Sequence, residues 1–377
     1  MWVHSLSLTD FRSHGQVDLK FSPGITTFIG LNGQGKTNLI EAIGYVSSLS
    51  SHRVASDAPL VRHGAQIAFI RCGITADDRE ITVDLAITPG RANKARVNRS
   101  PVPRTRDVLG LLRTVLFAPE DLSLVKGDPS ERRRFLDDLL IQRSPRLAGT
   151  RSDYERVLKQ RNALLKSASG ARRRAEEEML RTLEVWDDHL ATIGGQLIHE
   201  RICLVKDLFP LAAEEYGLLA GAHDSPLGLR YVSSINDLAK FPDDKDSWRA
   251  RILDELLRRR SDELNRGLTL VGPHRDDLLL TLADMPARGY ASHGEAWSVA
   301  LALRLGSYAL LSADGVDPVL MLDDVFAELD ATRRERLGER VKTAHQVLVT
   351  AAVAADVPLA LQGATIWVSR EGCHPND

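Results

Sequence analysis

The spacing of apolar residues changes along this chain, and the changes mark out its elements. GITTFIG, Gly24 to Gly30, opens at a Pro-Gly turn and is rich in β-branched and aromatic residues, which predicts a buried strand. TNLIEAIGYV follows with Leu39, Ile40, Ile43 and Val46 on one helical face. Further on, Tyr154, Val157, Leu158, Leu164 and Leu165 predict one amphipathic helix. Met179, Leu183, Trp186, Leu190, Ile193 and Leu197 form a heptad seam on a second. KSASGARRR lies between them, with a turn expected at Gly170. Two such helices suggest an antiparallel hairpin projecting as an arm, or equally a packed helical bundle. DSWRARILDELLRRRSDEL continues in helix, whereas GAHDSP and AKFPDDKD read as exposed loops. Val299, Leu301, Leu303, Leu305 and Leu310 belong to a long apolar helix. PVLMLDD then carries four consecutive apolar residues, as a fully buried parallel strand does.

Neither Trp297–Ala313, which contains Arg304, nor 347–368, which contains Asp356, Pro358 and Gln362, offers the ~20 clean apolar residues of a spanning helix. The opening MWVHSLSLTDF alternates in polarity and carries Asp10, unlike a signal peptide or anchor. Among 377 residues, 43% are hydrophobic and 27% charged, enough for two or three domains or one with a large insertion. A net charge of −2 argues against a generally basic nucleic-acid coat but leaves room for a local basic groove. Cys72, Cys203 and Cys373 are not spaced as metal ligands and read as reduced thiols of a cytoplasmic protein.

Between the first strand and its helix lies Gly30-Leu31-Asn32-Gly33-Gln34-Gly35-Lys36-Thr37, a Walker A pattern. Its glycines let backbone N–H groups converge on phosphate at a helix N-terminus. Lys36 is expected to reach the β- and γ-phosphates of ATP, and Thr37 to ligate Mg²⁺. Such a loop needs an acid at the end of a neighbouring strand. Asp323 is the expected Mg²⁺ partner, and Asp324 is placed to orient or deprotonate the attacking water. Lys36 and Asp323 are 287 positions apart, so a long insertion must separate adjacent strands. No guanine-reading Asn-Lys-x-Asp is present, because Asn93-Lys94 continues as Ala95-Arg96.

Ser292-His293-Gly294-Glu295 opens the apolar helix about thirty residues before the acidic strand, and makes a second helix-start anion site. Such a site has a use if it serves the ATP of another copy. This resembles the signature of the ATP-binding-cassette superfamily, in which Ser292, Gly294 and Glu295 would act in trans and Asp330, in Glu328-Leu329-Asp330, would touch the partner head. The expected fold is therefore α/β: a P-loop NTPase head of the ABC ATPase type with an inserted helical arm domain. Residues 1–125 would form the first part of the head, 126–270 the arm, and 271–377 the returning part. A transporter's ATPase subunit is the competing reading, but it would carry its signature about a hundred residues after the P-loop and would lack an arm.

Several stretches together resemble the RecF family of bacterial recombination mediators over essentially the whole chain. They are SLSLTDFRSH, SSHRVASDAPLVRHG, PEDLSLVKGDPSERRRFLD, VGPHRDDL and LDDVFAELD. The resemblance implies slow, DNA-dependent ATP hydrolysis and an ATP-dependent homodimer. It implies action on gapped or single-strand/double-strand junction DNA, with RecR and RecO assisting RecA loading, and a link to the SOS response. The sequence departs from superfamily habit in places. Asp324 stands where a glutamate is common, and Ala351 where a switch histidine would be sought. Ala296 and Trp297 follow the signature instead of a polar or basic residue. Glu120 is the candidate for the Gln loop. Arg132–Arg134 and the arm are candidate DNA contacts, although basic triplets such as 132–134, 172–174 and 258–260 usually mark solvated helix faces paired with nearby acids.

Overall fold

The structure, a computed structural model, describes residues 1–77, 79–168, 173–220, 225–235 and 244–375. Two compact units emerge. The first comprises Met1–Lys126, Pro210–Leu227 and Leu282–Asp377, and the second Gly127–Phe209 and Gly228–Thr281.

The first unit contains two six-stranded sheets. One is an antiparallel meander that pairs His14–Lys20, Trp2–Phe11, Ala68–Ala76, Arg79–Ile87, Lys94–Val97 and Ser100–Pro101 in that spatial order. The other is parallel through Thr114–Phe117, Val319–Asp323, Gln346–Ala351, Gly24–Ile29 and Ala364–Val368, and ends in the antiparallel edge strand Cys373–Pro375. Val319–Asp323 is buried along its whole length, so it has no alternating polar face. Helix Lys36–Ser48 is sandwiched between the sheets. Its Leu39, Ile40, Ile43 and Val46 share one core with Leu6, Ile70 and Leu85 of the meander and with Phe28, Met321 and Leu348 of the parallel sheet. Burying each such side chain contributes about 1.5–3 kcal/mol, which makes this helix the mechanical centre of the unit.

Helix His293–Ala313 is, among the described residues, the one helix long and apolar enough to cross a membrane, but 72% of its apolar window is buried inside the protein. Its Arg304 donates to Asp121 Oδ1 (Nη2 at 2.6 Å), and Asp121 also accepts from Ala118 N at 3.0 Å. The Pro-Glu-Asp turn thereby tethers the apolar helix. Glu120 itself is exposed.

In the second unit, helices Leu147–Ala168 and Arg173–Ala220 run antiparallel. Tyr154 lies against Gly194, and Arg161 donates to Asp187 at 2.7 Å, so the residue numbers fall on one helix as they rise on the other. Leu183, Leu190 and Leu197 of the expected heptad seam are buried, and Trp186 and Ile193 partly so. The expected turn at Gly170, the Met179 side chain, Arg172–Arg174 and most of the two expected loops lie outside the described residues. Buried ion pairs organise this unit. Arg161, fully buried, also donates to Glu263 (2.6 Å) and Thr269 (2.8 Å). Arg201 grips Asp137 through two bonds (2.8 and 2.9 Å) and donates to Pro273 O at 2.7 Å. Arg132 grips Asp277 in the same way (2.8 and 2.9 Å).

These contacts explain where the units divide. The first boundary falls at 126/127, beside the expected 125/126. The return to the first unit falls at 282 instead of 271, because Pro273, Asp276 and Asp277 are held by Arg201, Arg133 and Arg132 of the second unit. The helix Arg173–Ala220 changes unit at its internal Pro210, which has no N–H to donate to the helix ladder. Beyond it, Glu215 pairs with Arg340 (2.5 Å) and Leu219 O accepts from Arg336 (2.6 Å), which ties Pro210–Leu227 to the first unit. Arg132, a candidate DNA contact, is buried in its carboxylate pair and has no free face for phosphate.

Candidate nucleotide site

Register builds the site. Thr350 pairs with Phe28 on one side and Asp323 on the other, and Ala351 pairs with Ile29, the last residue before the P-loop. The loop therefore leaves the sheet one strand away from the end of the acidic strand, with Thr350 and Ala351 between them. Gly30 N donates to Ala351 O at 3.4 Å. Gly33 and Gly35 have φ of 80° and 100°, the left-handed region that glycine enters without steric cost. Gly35 also meets a crowded wall, for a Cβ there would lie 2.7 Å from His14 Nε2 and 2.8 Å from Ser13 Oγ. Leu31, Asn32 and Gly33 are exposed, and Gln34 is half-buried, its Oε1 without a hydrogen-bond partner among the described residues.

Lys36 is buried, and its ammonium donates to Gly30 O at 2.7 Å, curling across the mouth of the loop. Thr37 Oγ1 donates to Asp323 Oδ1 at 2.9 Å, and Thr350 Oγ1 donates to the same oxygen at 2.7 Å. Asp323 is 3% exposed, and its other oxygen faces His52 Nε2 at 3.8 Å. Asp324 follows at φ 48°, a left-handed conformation that Asp tolerates better than most residues. Its N–H donates to Thr350 Oγ1 at 2.8 Å. Burial and then the Asp323 charge raise the pKa of Asp324, and Lys36 partly offsets them. A buried acid beside a half-buried one, held by hydroxyls instead of cations, fits a divalent cation. The Thr37 hydroxyl can give its proton to Asp323 and a lone pair to the metal. Among the described residues no three His, Cys, Asp or Glu side chains gather into a metal cage, so phosphate and water would complete the Mg²⁺ shell.

Sequence reasoning missed several residues here. Thr350 is the principal one, and it touches both acids. The FRSH stretch wraps the helix start. Arg12 donates to both Glu41 oxygens (2.7 and 2.5 Å), and Ser13 Oγ accepts from Asn38 Nδ2 at 2.8 Å. His14 Nε2 lies 3.0 Å from Gly35 O, and burial lowers the pKa of this imidazole against the opposing effect of that bond. The SSHR stretch supplies Ser51, which donates to Glu41 (2.5 Å), His52 facing Asp323, and Arg53, which donates to Asn38 Oδ1 (3.1 Å). Arg12, Ser13, Asn38, Arg53, Arg62 and His63 line a cleft of about 610 Å³. Two arginines flanking a predicted P-loop helix were the available signal.

Ser292 caps helix His293–Ala313. Its Oγ accepts from Glu295 N at 3.2 Å, while Glu295 Oε2 accepts from Ser292 N at 2.8 Å. These bonds lower the pKa of Glu295. Among the described residues no hydrogen bond joins this turn to the P-loop. Asp330 caps helix Ala331–Val341 by accepting from Arg333 N at 2.9 Å.

A P-loop between two such sheets, an acid pair on the next strand but one, across Gln346–Ala351 and not directly alongside as expected, and a capped apolar helix define the head of an ATP-binding-cassette ATPase with a helical insertion. The RecF/RecN/SMC N-terminal domain model matches residues 2–370, and the chain belongs to the RecF family. It is 59% identical to the DNA replication and repair protein RecF of Frankia alni, across 96% of each chain, and 57% identical to that of Streptomyces avermitilis, across 98% of each. Among solved structures it is similar to the recombination mediator protein RecF with ATP, at a TM-score of 0.89 and 26% identity, covering 100% of this chain and 98% of that one. The Smc head of Pyrococcus furiosus shares the fold at a TM-score of 0.53 and 16% identity, with coverage of 100% and 96%.

Proposed function

We propose that the chain is an ATP-dependent DNA-binding protein of recombinational repair and replication, working in the cytoplasm. ATP bridges two copies. The P-loop of one copy holds the phosphates through Lys36 and the loop N–H groups, with Mg²⁺ on Thr37 and Asp323. Ser292 and the Gly294 N–H of the other copy close on the γ-phosphate, and Asp330 adjoins that contact. Arg12 and Arg53 flank the cleft that takes the remainder of the nucleotide. Asp324 orients the attacking water. Hydrolysis is slow, because a shortened acid must reach that water. Loss of the bridging phosphate then opens the dimer.

The observation that carries this reading is the coexistence, in one chain, of a P-loop joined to Asp323 and a separate capped helix start with no hydrogen bond to that loop among the described residues. Names of the relatives support the repair role, and the transporter alternative gains nothing from them. Closure of the dimer would join two weak DNA surfaces into one that recognises gapped or junction DNA by shape. RecO and RecR are the expected partners, with RecA loading and the SOS response downstream. Lys36→Ala tests the reading: ATP binding and ATP-dependent dimerisation should vanish together, measured by nucleotide titration and sedimentation. Dimerisation that survives loss of ATP binding would contradict it.

A further inference from the structure

Gly294 is helical, where glycine is normally disfavoured. What it makes room for is Arg333. A Cβ at Gly294 would lie 3.0 Å from both terminal nitrogens of the Arg333 guanidinium, so that group lies flat against the start of the signature helix. A cation beside a helix N-terminus is electrostatically misplaced, since both are positive. It is nevertheless held firmly. Arg333 Nε donates to Ser298 Oγ at 2.9 Å, and Nη1 pairs with Asp330 Oδ2. Asp330 uses its other oxygen to cap the Arg333 helix, so one carboxylate fixes both ends of the residue. Nη2 has no hydrogen-bond partner among the described residues, and the side chain is 23% exposed. The nearby Glu295 carboxylate turns back to its own helix cap.

A fixed guanidinium with a free N–H, set beside free helix-start N–H groups, is complementary to an anion. We infer that Arg333 is a binding residue for the γ-phosphate of the partner copy's ATP, clamped between the signature helix and the Asp330 loop so that its free Nη2 reports whether that phosphate is present. This rests on the proposed two-copy sandwich. It also gives the Asp330 loop a specific task, which is to aim Arg333. The guanidinium would donate to a γ-phosphate oxygen, and no bond is made or broken by it.

The test uses the full chain with Arg333→Gln, Arg333→Lys and Arg333→Ala, sedimented with MgATP and with MgADP, and assayed for hydrolysis. Gln retains a donor for Ser298 but loses the charge. It should weaken ATP-dependent dimerisation by roughly ten- to a hundredfold, as expected for a charge-assisted bond. Binding of MgATP to the monomer should stay unchanged, and Lys should restore part of the dimer. Mixing Arg333→Ala with Lys36→Ala should recover hydrolysis that neither has alone, because the mixed dimer keeps one P-loop opposite one intact Arg333. A wild-type chain that stays monomeric in MgATP overturns both the sandwich and this role. A wild-type dimer matched by an equally tight Arg333→Gln dimer, or a mixture that recovers nothing, overturns the role of Arg333 alone.

Discussion

Thr350 offers a sharp test of the acid pair, because one hydroxyl serves two carboxylate residues. Its proton goes to Asp323 Oδ1 at 2.7 Å, and its lone pair receives the Asp324 N–H at 2.8 Å. Thr350→Val keeps the shape and removes both bonds. A hydrogen bond to a charged group contributes about 1.5–3 kcal/mol, and a neutral one about 1 kcal/mol. The substitution therefore withdraws on the order of 2–4 kcal/mol of orientation from the pair that positions metal and water. If half of that appears in the transition state, hydrolysis slows roughly five- to thirtyfold at about 1.4 kcal/mol per tenfold. Among the described residues no hydrogen bond joins Lys36 or the P-loop glycines to Thr350, so ATP affinity in the absence of metal should hold. The assay is steady-state hydrolysis across a Mg²⁺ series for wild type, Thr350→Val and Thr350→Ser. Serine keeps the hydroxyl and should stay close to wild type. A valine variant that matches wild type at every Mg²⁺ concentration would refute the reasoning, since the shared hydroxyl would then orient nothing.

Other outcomes follow from the same geometry. Asp324→Asn should lower hydrolysis by roughly 10²–10⁴, the range for a lost general base. It should also raise the melting temperature of the nucleotide-free chain. The raised pKa of Asp324 means that the fold disfavours its charged form, a penalty complete above the folded pKa and absent below the unfolded one. The gain should therefore be present at neutral pH and fade as pH falls through the raised value, as read by thermal scans at several pH values. Arg161→Ala strips Glu263 of its cation in a dry interior, leaving it the Leu270 N–H, while Asp187 keeps Arg260, and should cost about 3–5 kcal/mol in urea unfolding of the second unit. Gly294→Ala should displace the Arg333 guanidinium and lose ATP-dependent dimerisation while the helix itself, with a better helix former, stays folded by circular dichroism. Arg132→Ala should destabilise the second unit but leave the salt dependence of DNA binding unchanged, whereas loss of one true phosphate contact lowers that slope by about 1.

Much of the head was legible because its signals are local. Gly30 to Thr37 sits between a buried strand and an amphipathic helix, and Val319–Leu322 has no period to misread. The parallel neighbours of those strands were not legible. That Thr350 lies between Phe28 and Asp323 depends on the strand order of the sheet, which no local pattern encodes. The same holds for FRSH and SSHR, whose side chains meet the P-loop helix only after the chain folds back. Arg132 was misread for a related reason. Three consecutive arginines look like a solvated face, and the carboxylate that buries the first one, Asp277, is 145 positions away. Ser292 was found as a helix start and Asp330 through the likeness of Glu328-Leu329-Asp330 to a superfamily loop, but Arg333, the link between them, is one of several arginines in a charged helix and carries no mark in sequence.

The most direct test of the central claim is sedimentation of wild type and Asp324→Asn, with and without MgATP, then with gapped duplex DNA. The account predicts a monomer without nucleotide, a dimer with MgATP that persists longest in Asp324→Asn, and retention of the DNA by that dimer. A chain that remains monomeric in every condition would contradict the sandwich, and Ser292 and Asp330 would then be helix caps, and Gly294 a first-turn residue, and nothing more.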